Sequence, residues 1–391
     1  MATPEEPPDF SLMLGGPLYQ IWKKSFLSGP ALELVRRRVF VVVFITWLPL
    51  AILSFTESHM FGNKFLAFFG DVESHVRFLV ALPALILAEL MVQHRLRPAV
   101  TLFVDRGIIT PKDRPKFDDA VKRAMRARNS VPLELALFLF VYSAGIWIWR
   151  NEVALGTSTW YRVPDGVGLH LTLAGYWLSF VSLPIFQFLW FRWYLRMAIW
   201  FLFLWRVSKL NLRLLPMHPD RAGGIGFLGG TSFAFSPIVF AQGALLSGFI
   251  ANRIFYQGRT LLSFDTTIAG LVGFYVVSIL GPLTMFSFAL SRAKRRGVRE
   301  YGTLATTYAS EFTQKWIRGG GNGESVLGSG DIQSLADLGG SFRAMDEMRP
   351  VPFGLNDAIR LAVAALLPIM PLLLTVMPLD EILARLFKLM F

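Results

Sequence analysis

The chain has 391 residues, of which 53% are hydrophobic and only 17% charged, with 39 lysines and arginines against 27 acidic residues and a formal net charge of +12. A soluble domain of this length carries more charge and fewer apolar residues, so the core to expect is a helix bundle in lipid. Cysteine is absent, which excludes disulfides, thiolate metal sites and thiol nucleophiles.

The first residues, MATPEEPPDF, are acidic and proline-rich, show no pattern of a cleaved signal, and precede the run Arg36-Arg37-Arg38. Residues 1–38 are therefore expected to form a cytoplasmic N-terminal segment. Crossing about 30 Å of hydrocarbon takes roughly 20 helical residues. Apolar runs of that order lie near 39–56, 78–94, 131–149, 170–190, 231–251, 266–291 and 358–378. The fold class predicted is an all-α integral membrane protein of about seven transmembrane helices, with amphipathic interfacial helices and no sizeable soluble domain. Residues 39–291 would form a six-span core with basic cytoplasmic loops at 95–130 and 191–230. Residues 292–357 would add a cytoplasmic helix and a Gly-rich linker, and 358–391 the seventh span and a C-terminal amphipathic helix, DEILARLFKLMF. This arrangement puts roughly four-fifths of the 39 lysines and arginines on one side, which the positive-inside rule makes the cytoplasm. The N-terminus is then inside and the C-terminus outside.

Several connecting segments have helical patterns of their own. FDDAVKRAMRARN, 117–129, reads as a short basic helix. A single helix over 170–206 would be about 54 Å long, so 170–190 is read as the span and FRWYLRMAIWFLFLWRVSKLNLR, 191–213, as its continuation at the cytoplasmic boundary, with the pattern of an interfacial helix. There Arg192, Arg196, Arg206, Lys209 and Arg213 share one arc as snorkelling cations, opposite Trp193, Met197, Phe201 and Leu204. TLATTYASEFTQKWI, 303–317, reads as another amphipathic helix, and DIQSLADLGG, 331–340, as a capped short one ended by glycine.

Chemistry-bearing groups are few. Glu89 in the second span and Glu134 in the third are costly in lipid and become site candidates for that reason. Arg192 and Arg196 lie at comparable depth, so each carboxylate is expected either to pair with a guanidinium or to carry a proton. Prolines interrupt most spans, and Gly223, Gly224, Pro282, Pro368 and Pro371 are the hinge candidates. Small residues on the fifth and sixth spans, Gly243, Gly248, Gly270 and Gly273 among them, suggest close helix packing. HPDRAGGIGFLGG, 218–230, contains a formal G-x-G-x-x-G but lacks the strand and βαβ unit of a dinucleotide site. His218 and Asp220 supply two metal ligands where a catalytic zinc ordinarily takes three, so no metal is expected. With Arg221 and its glycines the loop reads either as a tight structural turn or as a mobile gate folding into the mouth of the bundle.

The segments HPDRAGGIGFL, DIQSLADLGGSFRAMDEMRPVPFG and LAVAALLPIMPLLLTVMPLDEILARLFKLMF together resemble a family of bacterial polytopic inner-membrane proteins with an HPDRAGG-type cytoplasmic loop. The resemblance implies a multi-pass protein of the bacterial inner membrane and brings no activity, cofactor or catalytic residue. The residues themselves favour a channel or transporter for ions or small anionic solutes, with Glu89 in its path and Arg192, Arg196 and Arg221 at the inner mouth. A membrane scaffold or signalling component, and an enzyme acting on lipid through His218 and Asp220, are the other readings. The expected partners are membrane lipids, anionic headgroups included, and further copies of the chain. No cofactor is expected, and no nucleic acid, because no binding motif accompanies the basic charge.

Overall fold

The computed structural model describes residues 10–27, 34–61, 64–148, 159–165, 168–319, 325 and 328–376; the helix expected at 380–391 lies outside them. Seven helices are long and apolar enough to cross a membrane: Val35–Glu57, Val72–Asp105, Val131–Ile148, Leu173–Ser208, Phe227–Gln257, Leu261–Arg318 and Leu355–Thr375. They overlap the seven predicted apolar runs and are numbered here as spans 1 to 7. The N-terminal segment, the helix Arg114–Arg128 and the 218–230 loop gather at one end of the bundle, the basic end. The opposite end is tied by Asp71, whose carboxylate accepts from Trp160 Nε1 at 2.9 Å and Asn252 Nδ2 at 2.8 Å.

Spans 2 and 4 begin with the same local design, in the same order and at the same spacing. An N-cap side chain, Asp71 or Thr172, accepts from the backbone of Ser74 or Gly175. A π-helical turn follows, Arg77–Ala81 or Leu178–Ser182. Pro83 or Pro184 then stands in the first turn of the next α-helix. Proline has no N–H for the preceding turn and its ring crowds that turn's carbonyl; the extra residue of a π turn opens the ladder where this would clash. Pro49 and Pro98 stand inside regular α-helix, whereas three further prolines coincide with 3₁₀ geometry. Pro282 lies in Gly281–Phe286 of span 6, and Pro368 and Pro371 lie in Leu367–Thr375 of span 7.

At 1.5 Å per residue spans 2 and 4 are about 51 and 54 Å long, well beyond a 30 Å hydrocarbon layer. Their C-terminal halves build a layer at the basic end, where Phe103, Phe117, Trp200 and Phe203 are fully buried. Phe117 comes from Arg114–Arg128, the short basic helix, which packs on span 4. Phe10 comes from the N-terminal segment and meets Trp200 edge-on, with ring centroids 5.7 Å apart.

The structure corrects several expectations. Residues 191–208 continue the helix of span 4, as expected, but Arg192 and Arg196 do not snorkel: they are buried along with Trp193 and Met197. The expected arc of cations divides: Arg192 and Arg196 meet carboxylates inside the bundle, and the helix ends at Ser208, so Arg213 lies beyond it. The 303–317 helix is not separate but continues span 6. The helix beginning near Asp331 runs from Gly330 to Asp346, through Gly339 and Gly340 rather than ending there. Two glycines cost a helix about 2 kcal/mol relative to alanine; packing against span 6 offsets this, with Asp331 accepting from Lys315 Nζ and Trp316 Nε1. Among the described residues one small antiparallel strand pair, Arg162–Asp165 with Gly168–Leu171, stands beside the helices.

Glycine use also divides. A Cβ on Gly243 of span 5 would lie 2.0 Å from the Ala365 carbonyl oxygen of span 7, and one on Gly248 would lie 3.0 Å from Glu73 Cα. These are true close approaches. Gly270 and Gly273 of span 6 have nothing within 4 Å of such an atom, so packing against a neighbour within the described residues does not account for them.

Candidate functional site

The site grows from one buried face on each of four spans. In span 1 the residues Val35, Arg38, Val42, Thr46, Leu50, Ser54 and Glu57 are all buried, a helical stripe of i, i+3, i+4 character. Arg38 lies on it, whereas Arg36 and Arg37 are exposed. Span 2 buries Leu85, Glu89, Val92 and Leu96 on one side. Span 3 buries Glu134 in its first turn. Span 4 buries Leu189, Arg192, Trp193, Arg196, Met197 and Trp200; Arg192 and Arg196 stand four apart, one above the other on the same face.

These faces bring five charges together. Glu89 is the hub: Arg38 Nη2 is 2.8 Å from Oε2, and Nη1 of Arg192 and of Arg196 are each 3.3 Å from Oε1. Arg192 Nε reaches Glu134 Oε1 at 3.0 Å. All five residues are less than a tenth exposed. The N-terminal segment closes the cluster from the basic end. Leu18 N–H donates to Glu134 Oε2 at 2.9 Å, Arg196 Nη1 donates to Met13 Sδ at 2.7 Å, and Ser11 Oγ donates to Gln93 Oε1 at 2.7 Å. Trp22 lies under Arg38, with 5.8 Å from Cζ to the ring centroid. Trp193 Nε1 donates to the Leu85 carbonyl at 2.9 Å, locking spans 2 and 4 beside the charges.

Three guanidiniums against two carboxylates leave the cluster with one excess positive charge. Burying ions away from water costs several kcal/mol each unless partners replace the hydration, and here replacement is incomplete. Arg192 Nη2 and Arg38 Nε are buried with no hydrogen-bond partner among the described residues. Both arginines line a cavity of about 10 Å³ together with Glu89, Arg196 and Trp22; that is the room of one water molecule. A small electron-rich species placed there would meet guanidinium donors on several sides.

Of the residues singled out from the sequence, Glu89, Glu134, Arg192 and Arg196 therefore converge, while His218, Asp220 and Arg221 do not. The 218–230 loop packs beside Arg106, whose guanidinium donates to the Gly224 carbonyl at 3.2 Å and lies over Phe227. Arg106 caps the end of span 2, about 25 Å along the helix from Glu89. The convergence that acid-base or metal chemistry at this loop would need is absent. Arg221 is exposed and pairs with Glu347 at 3.1 Å, not with the cluster. Among the described residues no group of three His, Asp or Glu side chains could hold a metal ion.

The loop is instead organised around one carboxylate. Asp220 accepts from the N–H groups of Ala222 (2.8 Å), Gly224 (3.1 Å) and Gly226 (2.8 Å), with His218 Nδ1 2.9 Å away. Burial pushes the Asp220 carboxyl up, but these three donors and His218 outweigh it and hold it below the ordinary aspartate value. Wrapping the chain around an anion requires left-handed backbone at Arg221, Gly223 and Gly224, with φ of 53°, 65° and 97°, which glycine adopts without the strain of a Cβ. Arg349 Nη2 donates to the Asp220 carbonyl, and Arg349 N–H to the Arg221 carbonyl at 2.7 Å. Gly223 and Gly224 are thus elements of a tied structural turn.

Sequence reasoning missed Arg38, hidden in a run of three arginines, and the N-terminal residues Ser11, Met13 and Leu18. The stripe of Thr46 and Ser54 on the face of Arg38 was the available signal for the first. The apolar patch FSLML, directly before Gly15-Gly16, was the signal for the second. Comparison with protein-family models, curated proteins and solved structures gives no match for the chain, so the site stands on its geometry alone.

Proposed function

We propose that this multi-pass protein transports small anions, with the Arg38–Glu89–Glu134–Arg192–Arg196 cluster as the binding point and the N-terminal segment as the plug above it. The observation that carries this reading is the imbalance inside the bundle: three buried guanidiniums face two carboxylates, and Arg192 Nη2 has no partner beside a cavity. A purely structural salt-bridge network gains from matched charge; a surplus guanidinium fits a site that receives an anion. With room for a single water, the arrangement corresponds to a closed state. Pro282, Pro368 and Pro371 are the places where spans 6 and 7 would bend, and withdrawal of residues 10–18 would open the basic end. The gate in this reading is the N-terminal segment in place of the 218–230 loop. The charge asymmetry supports a basic end facing the cytoplasm, and the family resemblance supports the bacterial inner membrane as its location.

The test is anion flux in liposomes reconstituted with the purified full-length chain, using chloride and inorganic phosphate as probes. The wild type is expected to conduct slowly, a chain lacking residues 1–16 faster, and Arg192→Gln not at all. Absence of flux from both the wild type and the truncated chain would remove the proposal.

A scaffold role is favoured by a different observation. The helix of span 6 runs on to Arg318 with a largely exposed basic-end extension, and Gly330–Asp346 folds back along it. That hairpin is a docking surface in this second reading, and salt-sensitive partner capture by the hairpin without flux would select it.

A further inference from the structure

A second, larger opening lies on the flank of the bundle between spans 2, 5 and 7. Its volume is about 810 Å³, inside the range of about 300–1,000 Å³ for pockets that take whole small molecules. Leu87 and Met91 of span 2, Phe240 of span 5, and Val363 and Leu367 of span 7 form apolar walls. His94 and Arg95 line it at its basic end, and so does Arg360, in the second turn of span 7's first helix. No acidic side chain is among the described residues that line it.

The groove is built along the helix axes, since the lining residues recur at three- and four-residue spacing on each span. From Ala84 to Arg95 it runs about 16 Å, one leaflet's share of a 30 Å hydrocarbon core. Leu87, Val363 and Leu367 are 44%, 54% and 50% exposed, so the slot opens sideways, where acyl chains would lie. All its basic side chains, His94, Arg95 and Arg360, sit at the end of the groove towards the basic end of the bundle. Arg95 rests 4.9 Å above the Phe233 ring, which leaves guanidinium N–H groups along the edge of the groove. An apolar slot one leaflet deep, with paired arginines at its mouth and no balancing acid, matches a single kind of occupant.

We propose that this groove is a binding site for one anionic phospholipid of the leaflet at the basic end, its phosphate held by Arg95 and Arg360 and an acyl chain lying along Leu87, Met91, Val363 and Leu367. A zwitterionic lipid offers the same chains, but its cationic head group is repelled by the arginines. Free phosphate offers the charge without anything for the apolar two-thirds of the slot.

Native mass spectrometry of the purified full-length protein in detergent tests this, with phosphatidylglycerol, phosphatidylcholine of identical chains, and soluble glycerol phosphate added in turn. The expected result is one retained phosphatidylglycerol, preferred over phosphatidylcholine by a factor of ten or more. In Arg95→Gln/Arg360→Gln that preference is lost and the two lipids are retained equally, since two cations contribute about a fivefold factor each at an anionic surface, roughly twenty-fivefold together. Both residues are exposed, and unchanged thermal unfolding of the variant establishes that it folds. Equal retention of the two lipids by the wild type, or an undiminished preference in the double variant, would overturn the proposal. So would glycerol phosphate competing as well as the intact lipid.

Discussion

Replacing Glu89 with glutamine removes the charge at the hub of the buried cluster while keeping its volume. The carboxylate faces Arg38 at 2.8 Å and Arg192 and Arg196 at 3.3 Å, so its loss raises the buried excess from one positive charge to two. Breaking a buried pair from one side costs about 3–5 kcal/mol, because the remaining charge keeps its desolvation without its partner. Three guanidiniums share Glu89 and one shares Glu134, so Glu89→Gln is expected at the upper end of that range and Glu134→Gln at or below the lower. Adding Arg38→Gln to Glu89→Gln restores the original excess and should recover about 1–3 kcal/mol, the coupling typical of residues in one network. The assay is reversible unfolding of the purified protein in mixed micelles, followed by tryptophan fluorescence, for both single variants and the double. A Glu89→Gln protein within about 0.5 kcal/mol of wild type, or a double variant less stable than Glu89→Gln alone, would refute the electrostatic account.

Asp220→Ala is expected to cost about 1–3 kcal/mol, since three backbone donors lose their acceptor, and amide exchange at Ala222, Gly224 and Gly226 should accelerate. Because the folded carboxyl sits below its ordinary value, its contribution is complete above the unfolded value of about 3.9 and drains away as pH falls towards the folded one; exchange measured from pH 6 down to 3 checks the direction. Gly243→Val forces span 5 off the Ala365 carbonyl and should lower the unfolding midpoint sharply, whereas Gly270→Val, with open space around it, should leave it nearly unchanged. Topology is testable because the chain has no cysteine: single cysteines at Lys112 and Leu262 should label with an impermeant maleimide from opposite sides of the membrane, and labelling from the same side would invalidate the alternation of spans.

Much of the bundle can be read from run lengths, because crossing hydrocarbon imposes a length that few other constraints produce. What run lengths miss is where a long apolar helix turns its charges into the bundle. Span 4 looks amphipathic over 191–213 when its cations are counted together, yet Arg192 and Arg196 answer to Glu89 and Glu134, residues brought near by tertiary packing and by no local pattern. Arg38 is masked in the same way, one inward arginine in a run whose two neighbours face out. The glycine-rich loop shows the converse. Its composition left a tight turn and a mobile gate both open, and what composition does not reveal is that one short-range acceptor, Asp220, gathers the N–H groups of Ala222, Gly224 and Gly226 into a turn.

The distribution of the cluster along the chain also bears on how the protein is made. Arg38 and Glu89 arrive on spans 1 and 2, and Glu134 with Arg192 and Arg196 on spans 3 and 4, so each of the first two helical pairs carries an acid and a base that contact each other. An arginine entering a bilayer alone costs about 2.5–3.5 kcal/mol at a helix centre; were these spans to enter a membrane as hairpins, each such arginine would have a counter-ion opposite it before the remaining spans exist. Arg196 alone has no acid within its own pair of spans; its partners, Glu89 and Met13, belong to segments synthesised before it.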